Sequence, residues 1–431
     1  MTHSALPSAQ SHDSTKLQLF FYRMFFAALM LSLSLFLLRG LGFVGTTWKI
    51  YYHLYLLAAL SYTWFNLLLL CWGDIIRRTY PAYDGEKIAV IIPCYNEKKD
   101  LFKRALLSVL QAEGNKRAIV IDDGSKPAVR RYLEKMAQEY DITLHSFRRN
   151  RGKRAALTFA IQYLLQDEPY IVLMDSDTVM DKSALVRIVE PLKDRRIGAA
   201  GGDIRLLNEA ENTLTRMIAS YYWSALHIHR RAESALGMVS CCSGALSAYR
   251  VDLIREKMDA FFGQKLFGEY CTHSEDRHLT NLVLKSGHQV VFVPAAIAHT
   301  HTPSTYRAFL RQQQRWRRGF IQESLFTLSY AWRVRPLLFF QVLFWELMVP
   351  FLSLGMVLTF TIVVLTHPVL TLTSLLPSWL ILTLVRNMPA VFTARKRLPG
   401  LLFFSVYSNF VSYWQGLYAL FTLRNRSWLT R

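Results

Sequence analysis

The chain has 431 residues, of which 52% are hydrophobic and 13% aromatic, and 51 Lys and Arg against 31 Asp and Glu give a formal net charge of +20. This apolar excess excludes a disordered or collagen-like chain and argues against a fully soluble protein. The acidic residues are unevenly placed, because residues 1–73 and 336–431 contain one each, whereas residues 74–335 have the charge density of an ordinary globular domain.

The first apolar stretches predict two transmembrane helices within residues 17–73, after a disordered N-terminus at 1–16. Residues 50–73 contain no Asp, Glu, Lys or Arg, and this run of 24 residues exceeds the roughly 20 that a helix needs to cross the hydrocarbon layer. Residues 17–38 are similarly apolar except for Arg23, which lies close enough to one end to reach the headgroups. A removable signal peptide is the alternative, and the lack of a small-residue cleavage site argues against it.

Residues 74–303 predict an α/β domain with a mostly parallel sheet. Four short β-branched runs alternate with four longer amphipathic stretches, which is the spacing of βαβ units. The runs are at 88–92, 118–121, 142–145 and 170–174, and the stretches follow at 100–112, 127–139, 153–165 and 182–193. Ligands bind beyond the carboxyl ends of the strands in such sheets, so the polar residues at those ends are the candidate functional residues.

Carboxylates follow two of these runs. Asp122 and Asp123 end the second run, and Asp175 and Asp177 follow the fourth. Two carboxylates two residues apart can hold a divalent cation that also binds phosphate oxygens. The Asp-x-Asp pair alone fits a solvated turn equally well, but together with the other pair it favours a nucleotide-diphosphate site. Neither G-x-G-x-x-G nor a P-loop motif is present, so a dinucleotide fold and a P-loop NTPase are not supported.

The part of the chain after the domain predicts a return to the membrane. Residues 304–335 contain seven arginines among aromatic residues, which is typical of amphipathic helices at a membrane interface. Residues 347–385 have no charged side chain, and a break at His367 and Pro368 predicts two transmembrane helices within 336–388. We expect residues 389–431 to form a re-entrant or interfacial segment and a tail.

Basic residues flank the middle domain and place it in the cytoplasm by the positive-inside rule. The sequence therefore predicts a multi-pass protein of the cell (inner, cytoplasmic) membrane, whose α/β domain is inserted between transmembrane helices. We expect a monomer that contacts the lipid bilayer. No nucleic-acid partner is expected, because much of the positive charge lies where the domain meets anionic headgroups. The five cysteines would lie in or face a reducing compartment, so disulfides are not expected, and no pair has the repeated CxxC spacing of a structural zinc site.

Seven motifs in chain order resemble those of processive family-2 glycosyltransferases with a GT-A fold. The resemblance is strongest to bacterial hyaluronan synthases, with nodulation-factor chitin-oligosaccharide synthases a near second. The motifs are IIPCYNE (91–97), IDDGS (121–125), NRGKRAAL (150–157), MDSDT (174–178), SCCSGALSAYR (240–250), SEDRHLTN (274–281) and QQQRW (312–316). The tail also resembles the W-G-T-R gating segment of hyaluronan synthases, which implies gating roles for Trp428, Thr430 and Arg431.

The resemblance implies a donor site for UDP-sugars. Its nucleotide-sugar contacts would be Tyr95, Glu97, Asp123, Lys153, Arg154, Asp175 and Arg315. Asp175 and Asp177 would hold the diphosphate together with Mg²⁺ or Mn²⁺ as cofactor. A metal and an arginine can both stabilise the charge that develops on a leaving UDP.

The resemblance also implies an acceptor site for a growing polysaccharide. Asp276 would be the general base on the acceptor hydroxyl, and Glu275 is the alternative base. The acceptor contacts would be Ser243, Gly244, Glu275, Arg277, Gln312 and Trp316. Direct attack by the hydroxyl would invert the anomeric centre of an α-linked donor and give a β-linkage without a covalent intermediate.

Three positions depart from the pattern of these relatives. Ser274 stands where they usually have Gly, Ala245 where they usually have Pro, and Leu429 where hyaluronan synthases have Gly. The leucine is closer to chitin-oligosaccharide synthases, whereas residues 243–250 are closer to hyaluronan synthases. Hyaluronan also requires a glucuronate carboxylate to be accepted, for which Lys153, Arg154 and Arg277 are the candidate cations.

We therefore expect a membrane-embedded hyaluronan synthase that uses UDP-GlcNAc and UDP-GlcA and translocates its product. A chitin or chitin-oligosaccharide synthase that uses only UDP-GlcNAc is the alternative within the same class. An inactive polysaccharide-binding or export protein and a non-processive lipid-sugar transferase are alternatives from other classes.

Overall fold

The computed structural model describes residues 46–76, 78–348 and 376–424, and shorter pieces between 355 and 370. Its strands are β1 Ile88–Cys94, β2 Lys116–Asp122, β3 Ile142–Ser146, β4 Tyr170–Leu173, β5 Val179–Met180, β6 Ile197–Leu206, β7 Ser247–Arg250, β8 Lys265–Leu266, β9 Glu269–Tyr270 and β10 Gln289–Thr300. The N-terminus at 1–16, the predicted helix at 17–38 and the gating residues Trp428, Thr430 and Arg431 lie outside the described residues.

The helices alternate with the strands and then continue without them. The α-helices are α1 Thr46–Ile76, α2 Lys99–Gln111, α3 Pro127–Glu139, α4 Lys153–Phe159, α5 Ala184–Val189, α6 Thr213–Ser224, α7 Arg231–Ala235, α8 Val251–Arg255, α9 Met258–Phe262, α10 Glu275–Lys285, α11 Tyr306–Val334, α12 Pro336–Phe340, α13 Pro368–Leu370, α14 Leu376–Arg386, α15 Met388–Thr393, α16 Leu398–Tyr407 and α17 Tyr413–Phe421. Segments of π-helix lie at Ala160–Leu164, Ala225–Arg230, Gln341–Met348 and Ser408–Ser412, and short 3₁₀ turns at Glu190–Lys193 and Arg395–Arg397.

Eight strands form one sheet in the order β3-β2-β1-β4-β7-β6-β10-β5. The first four strands of this order are mutually parallel, and β7 runs antiparallel to both of its neighbours, β4 and β6. Strand β10 is parallel to β6 and antiparallel to β5. The four strands predicted from β-branched runs are observed within two residues of the predicted bounds. The mostly parallel α/β class is confirmed.

Both faces of the sheet are covered by helices, which explains the continuous apolar runs in the sequence. All seven residues of β1 are buried. On one face Val90 packs in a cluster with Phe102 of α2, and on the other Ile91 packs in a cluster with Leu279 of α10. The register pairs Cys94 with Asp122, so the polar residues that follow β1 and β2 emerge side by side.

A buried hydrogen-bond network joins α10 to the long helix α11. Glu323 of α11 is fully buried, and its Oε2 accepts from Asn281 Nδ2 at 3.0 Å and lies 3.1 Å from His278 Nδ1. Its Oε1 accepts from Gln264 Nε2 at 2.6 Å. Burial raises the pKa of Glu323, but these hydrogen bonds lower it below its ordinary value. The carboxylate therefore stays charged and fixes the two helices against each other.

The C-terminal helices pack against the α/β domain. Helix α16 lies on α6, where the Tyr221 and Phe404 rings stack with centroids 4.2 Å apart. Helix α17 lies on α11, and Arg318 Nε donates to Thr422 Oγ1 at 3.1 Å just beyond it. The stretch predicted to be re-entrant or interfacial is thus helical over Leu398–Phe421 and is anchored to the domain. In the described part of the chain, no helix has both the length and the apolarity that a membrane crossing requires.

Replacing Glu323 with Gln should destabilise the fold, because one carboxylate oxygen becomes an amide donor that faces other donors. We expect a loss of about 2–4 kcal/mol in the free energy of unfolding. Thermal unfolding of purified Glu323→Gln checks this, with exposed Glu134→Gln as the matched control. An unfolding temperature equal to that of the control would show that the network does not stabilise the helix pair.

Candidate active site

Asp123 fixes the loop that precedes α4. Its Oδ1 accepts from the Arg151 N–H at 2.7 Å and its Oδ2 from the Gly152 N–H at 2.9 Å. Gly124 has a φ of +74°, and a Cβ there would lie 2.3 Å from the carbonyl carbon of Arg149. Burial raises the pKa of Asp123, although the two backbone hydrogen bonds oppose this effect. The loop therefore packs tightly over the end of β2 and leads directly into Lys153.

The ends of β1, β4 and β10 meet beside this loop. Glu97 Oε2 accepts from Ser176 Oγ at 3.0 Å, which joins the segment after β1 to the segment after β4. Asp177 Oδ1 accepts from Thr300 Oγ1, at the end of β10, at 3.5 Å. Tyr95 is half-buried in the same segment as Glu97. The polar residues predicted at these strand ends thus lie along one edge of the sheet.

Lys153 lies among the carboxylates of the site. Its Nζ is 2.6 Å from Asp175 Oδ1 and 2.9 Å from Glu275 Oε1. A Cβ on Gly244 would lie 2.7 Å from this Nζ, so glycine at that position makes room for the ammonium. Burial lowers the pKa of Lys153, but Asp175, Glu275 and Asp276 together raise it above its ordinary value. The ammonium group therefore remains charged.

Two adjacent carboxyls at the start of α10 have opposite pKa shifts. Asp276 Oδ1 accepts from the Arg277 N–H at 2.7 Å and Oδ2 from the Gly244 N–H at 3.2 Å. Burial and the charge of Glu275 raise the pKa of Asp276. Burial also raises the pKa of Glu275, but the ammonium of Lys153 lowers it to about 2. Glu275 is held by the ammonium of Lys153, whereas Asp276 accepts only backbone hydrogen bonds among those observed, so the geometry favours Asp276 over Glu275 as a general base.

Tyr222 is a site residue that sequence reasoning missed. Burial, Tyr221, Asp177 and Asp175 raise the pKa of its phenol, and Arg315 opposes them, so α6 brings this hydroxyl among the charges of the site. The centroid of its ring lies 6.2 Å from the ring centroid of Trp316. The run of three aromatic residues at 221–223 was the available signal, but nothing in the sequence relates it to the Asp-x-Asp pair.

Two of the predicted site arginines are committed to partners within the protein. Arg154 Nη1 donates to the Phe261 carbonyl at 2.6 Å, and its guanidinium stacks on the Phe261 ring. Arg277 Nη2 donates to Glu346 Oε2 at 2.6 Å, and its guanidinium stacks on Phe320. Both arginines are buried. They stabilise the segments around α10, and the ion pair links α10 to the π-helical segment at 341–348.

The remaining predicted acceptor residues lie on two elements. Ser243 is half-buried in the turn before β7, next to Gly244. Gln312 is half-buried on α11, one turn before Trp316. Helix α11 therefore carries the whole Q-x-x-R-W sequence.

Asp175 and Asp177 are the candidate carboxylates for a metal ion. Among the described residues, no group of three or more His, Cys, Asp and Glu side chains is arranged to hold a metal by itself. Mg²⁺ commonly takes one or two carboxylates together with substrate phosphates. The pair therefore fits a cation that binds together with a nucleotide diphosphate.

Comparison with known proteins agrees with this geometry. The sequence profile described as "Glycosyltransferase like family 2" matches residues 85–319, which include all the strands and the carboxylates from Glu97 to Asp276. The chain belongs to glycosyltransferase family 2. This glycosyltransferase is 32% identical over 368 residues to an N-acetylglucosaminyltransferase from Rhizobium leguminosarum bv. viciae, covering 82% of this chain and 84% of the relative.

Two further similarities bear on specificity and fold. The glycosyltransferase is 36% identical over 183 residues to hyaluronan synthase 1 from Xenopus tropicalis, covering 42% of this chain and 31% of that protein. Its fold is similar to that of a mannosyltransferase from Pyrobaculum calidifontis in complex with GDP-Man and Mn²⁺, with a TM-score of 0.57 and 16% identity. That match covers 84% of this chain and 98% of the mannosyltransferase. The GT-A fold expected from the sequence is confirmed.

Replacing Lys153 with Gln should move the acidic limb of the pH–rate profile to higher pH. The ammonium lowers the pKa of both Glu275 and Asp276, so its removal raises both, and a base must lose its proton to act. We expect a shift of about one pH unit in kcat/KM. Lys87→Gln, which breaks the exposed pair with Asp167, is the control. An unshifted limb would contradict the electrostatic coupling.

Proposed function

We propose that this glycosyltransferase transfers N-acetylglucosamine from UDP-GlcNAc to a hydroxyl of a growing β-linked polysaccharide, with inversion. The observation that carries the proposal is the contrast between the neighbouring carboxyls of Glu275 and Asp276. Glu275 is ion-paired with the half-buried Lys153, whereas the Asp276 oxygens accept hydrogen bonds only from the backbone among those observed. This division of roles suits a single general base next to a donor site.

The reaction follows from these positions. The acceptor hydroxyl oxygen attacks the anomeric carbon, its proton passes to the carboxylate of Asp276, and the bond from that carbon to the phosphate oxygen breaks. The positively charged Arg315 stabilises the charge that develops on the leaving UDP. Mg²⁺ or Mn²⁺, held by Asp175 and Asp177, would neutralise the diphosphate when bound. The single displacement gives a β-linkage.

The use of a single donor sugar is favoured because the three candidate cations for a glucuronate carboxylate all bind groups of the protein itself. Lys153, Arg154 and Arg277 are the cations that the sequence offers for a glucuronate carboxylate, and each is held by groups of the protein. The relatives matched over about four fifths of this chain are N-acetylglucosaminyltransferases. We therefore place a chitin or chitin-oligosaccharide product ahead of hyaluronan, which reverses the order that the motifs alone favour.

Hyaluronan synthesis is the second candidate. The similarity to hyaluronan synthase 1 over 183 residues and the sequence at 243–250 support it. It requires that one of the three cations exchanges its protein partner for the carboxylate of glucuronate.

We further propose that the enzyme works in the cytoplasmic membrane and passes its polysaccharide across it. The charge-free runs at 50–73 and 347–385 support this location. Large apolar side chains that are exposed on the protein surface support this location as well, because a bilayer would shield them from water. Six of them are Leu57, Leu68, Trp72, Phe340, Phe403 and Phe421.

Incubation with UDP-GlcNAc alone, with Mg²⁺ or Mn²⁺, should yield a β-linked GlcNAc product and free UDP. UDP-GlcA should add nothing to the yield, because no cation is free among the three candidates to bind its carboxylate. Product mass and enzymatic digestion distinguish the outcomes. A product that forms only when both donors are present would replace our first candidate with hyaluronan synthesis.

Asp276→Asn should lower kcat by about 10²- to 10⁴-fold, because the amide cannot accept the proton of the acceptor hydroxyl. UDP binding should stay within about threefold of wild type, since the base does not contact the nucleotide in the proposed reaction. UDP release and calorimetric UDP binding measure the two effects. Asp141→Asn, at an exposed position, is the control. Retained turnover in Asp276→Asn would show that another group is the base.

A further inference from the structure

Helix α11 closely approaches the start of α10 where Gly319 meets Ser274, the residue before α10. A Cβ on Gly319 would lie 1.7 Å from Ser274 Oγ and 2.7 Å from Ser274 Cβ. Rotation of the serine hydroxyl could relieve only the first of these contacts. The glycine is therefore required here by close packing, and the serine side chain fills the space that the glycine leaves.

The backbone of Ser274 is also unusual. Its φ is +54°, in the left-handed region that glycine adopts more readily than other residues. Ser274 is the N-cap residue of α10, a position where serine usually accepts a hydrogen bond from the helix, yet its side chain caps no N–H group. The side chain is instead directed at Gly319 of α11.

This contact lies between two groups of functional residues. Asp276 follows Ser274 by two residues, in the first turn of α10. Arg315 and Trp316 precede Gly319 by four and three residues, so they lie one helical turn away on α11. On the other side of Gly319, one turn further on, Glu323 fixes α11 to His278 and Asn281 of α10. Because Glu323 holds the following turn of α11 in place, a displacement at Gly319 must move either Arg315 and Trp316 or the turn that carries Asp276.

We propose that the contact between Ser274 and Gly319 sets the spacing between the base on α10 and Arg315 and Trp316 on α11. Both are positioning residues for sugar transfer, and neither touches the reacting atoms. The inference rests on the proposed function in one respect, the assignment of Asp276, Arg315 and Trp316 to the two sides of the transfer reaction.

Gly319→Ala tests the contact from one side. The added methyl group should push α11 from the start of α10 and lower kcat about 10- to 100-fold, because reacting groups lose their alignment. The KM for the donor should change less than kcat, and the unfolding temperature should fall by a few degrees, as overpacking usually causes. Gly416→Ala, on a helix where a Cβ meets nothing within 4 Å, is the matched control and should keep wild-type turnover.

The double variant Ser274→Gly with Gly319→Ala provides the decisive comparison. Without the serine side chain, the nearest remaining atom is the backbone nitrogen of residue 274, at 3.6 Å from the new methyl group, which is an ordinary contact. The double variant should therefore turn over at least about ten times faster than Gly319→Ala. A defect at residue 319 that does not arise from the contact with Ser274 would not be relieved by this second truncation.

Two outcomes would overturn the inference. One is wild-type turnover in Gly319→Ala, and the other is a double variant that folds but recovers no activity. If Gly319→Ala folds poorly, the double variant alone decides, because removal of the clash should restore both folding and turnover. UDP release is measured with each donor. If the wild-type enzyme uses a donor other than UDP-GlcNAc, the proposed GlcNAc transfer is refuted. The turnover of the two variants is then compared with that donor, so the inference about Ser274 and Gly319 is still tested.

Discussion

One half-buried ammonium group links the three parts of the active site. Lys153 comes from the first turn of α4, Asp175 from the segment after β4 and Glu275 from the first turn of α10, and the ammonium lies within 2.9 Å of both carboxylates. Several carboxylates near one another would repel if none were paired, and burial would increase the repulsion. The lysine makes the cluster stable, and it leaves Asp276 as the carboxyl with the raised pKa.

The position of this lysine depends in turn on backbone geometry. Asp123 holds the backbone of Arg151 and Gly152, and Gly124 allows the loop to approach the end of β2. Gly244 leaves the space that the lysine occupies. The positions of the charged groups thus depend on two glycines, Gly124 and Gly244, that lack a side chain. Substituting either glycine would alter the electrostatics of the site without changing any charge.

The sequence predicted the strands, their parallel arrangement and the carboxylates at their ends, because burial on both faces imposes continuous apolar runs and polar residues then mark the ends of the strands. The motifs also predicted Asp276 as the base, and this assignment stays a prediction. Tyr222 and Glu346 were not found, since both come from distant segments and act through contacts that spacing cannot reveal. Arg154 and Arg277 were expected to face the substrates, yet they bind Phe261 and Glu346. A sequence motif does not show whether an arginine binds a ligand or another residue of the same chain.

The ion pair between Arg277 and Glu346 has a consequence for how the protein can be divided. Glu346 is the only acidic residue in the last 96 positions, and it lies beyond the end of the family-2 profile match at residue 319. Its partner, Arg277, is buried and follows the proposed base Asp276. A catalytic domain cut at residue 335 would leave that arginine buried without its counter-charge, which is strongly destabilising. Helix α10, which carries the proposed base, therefore reaches its stable packing only after the following apolar segment has been synthesised. The catalytic domain and the segment expected in the membrane thus form one folding unit.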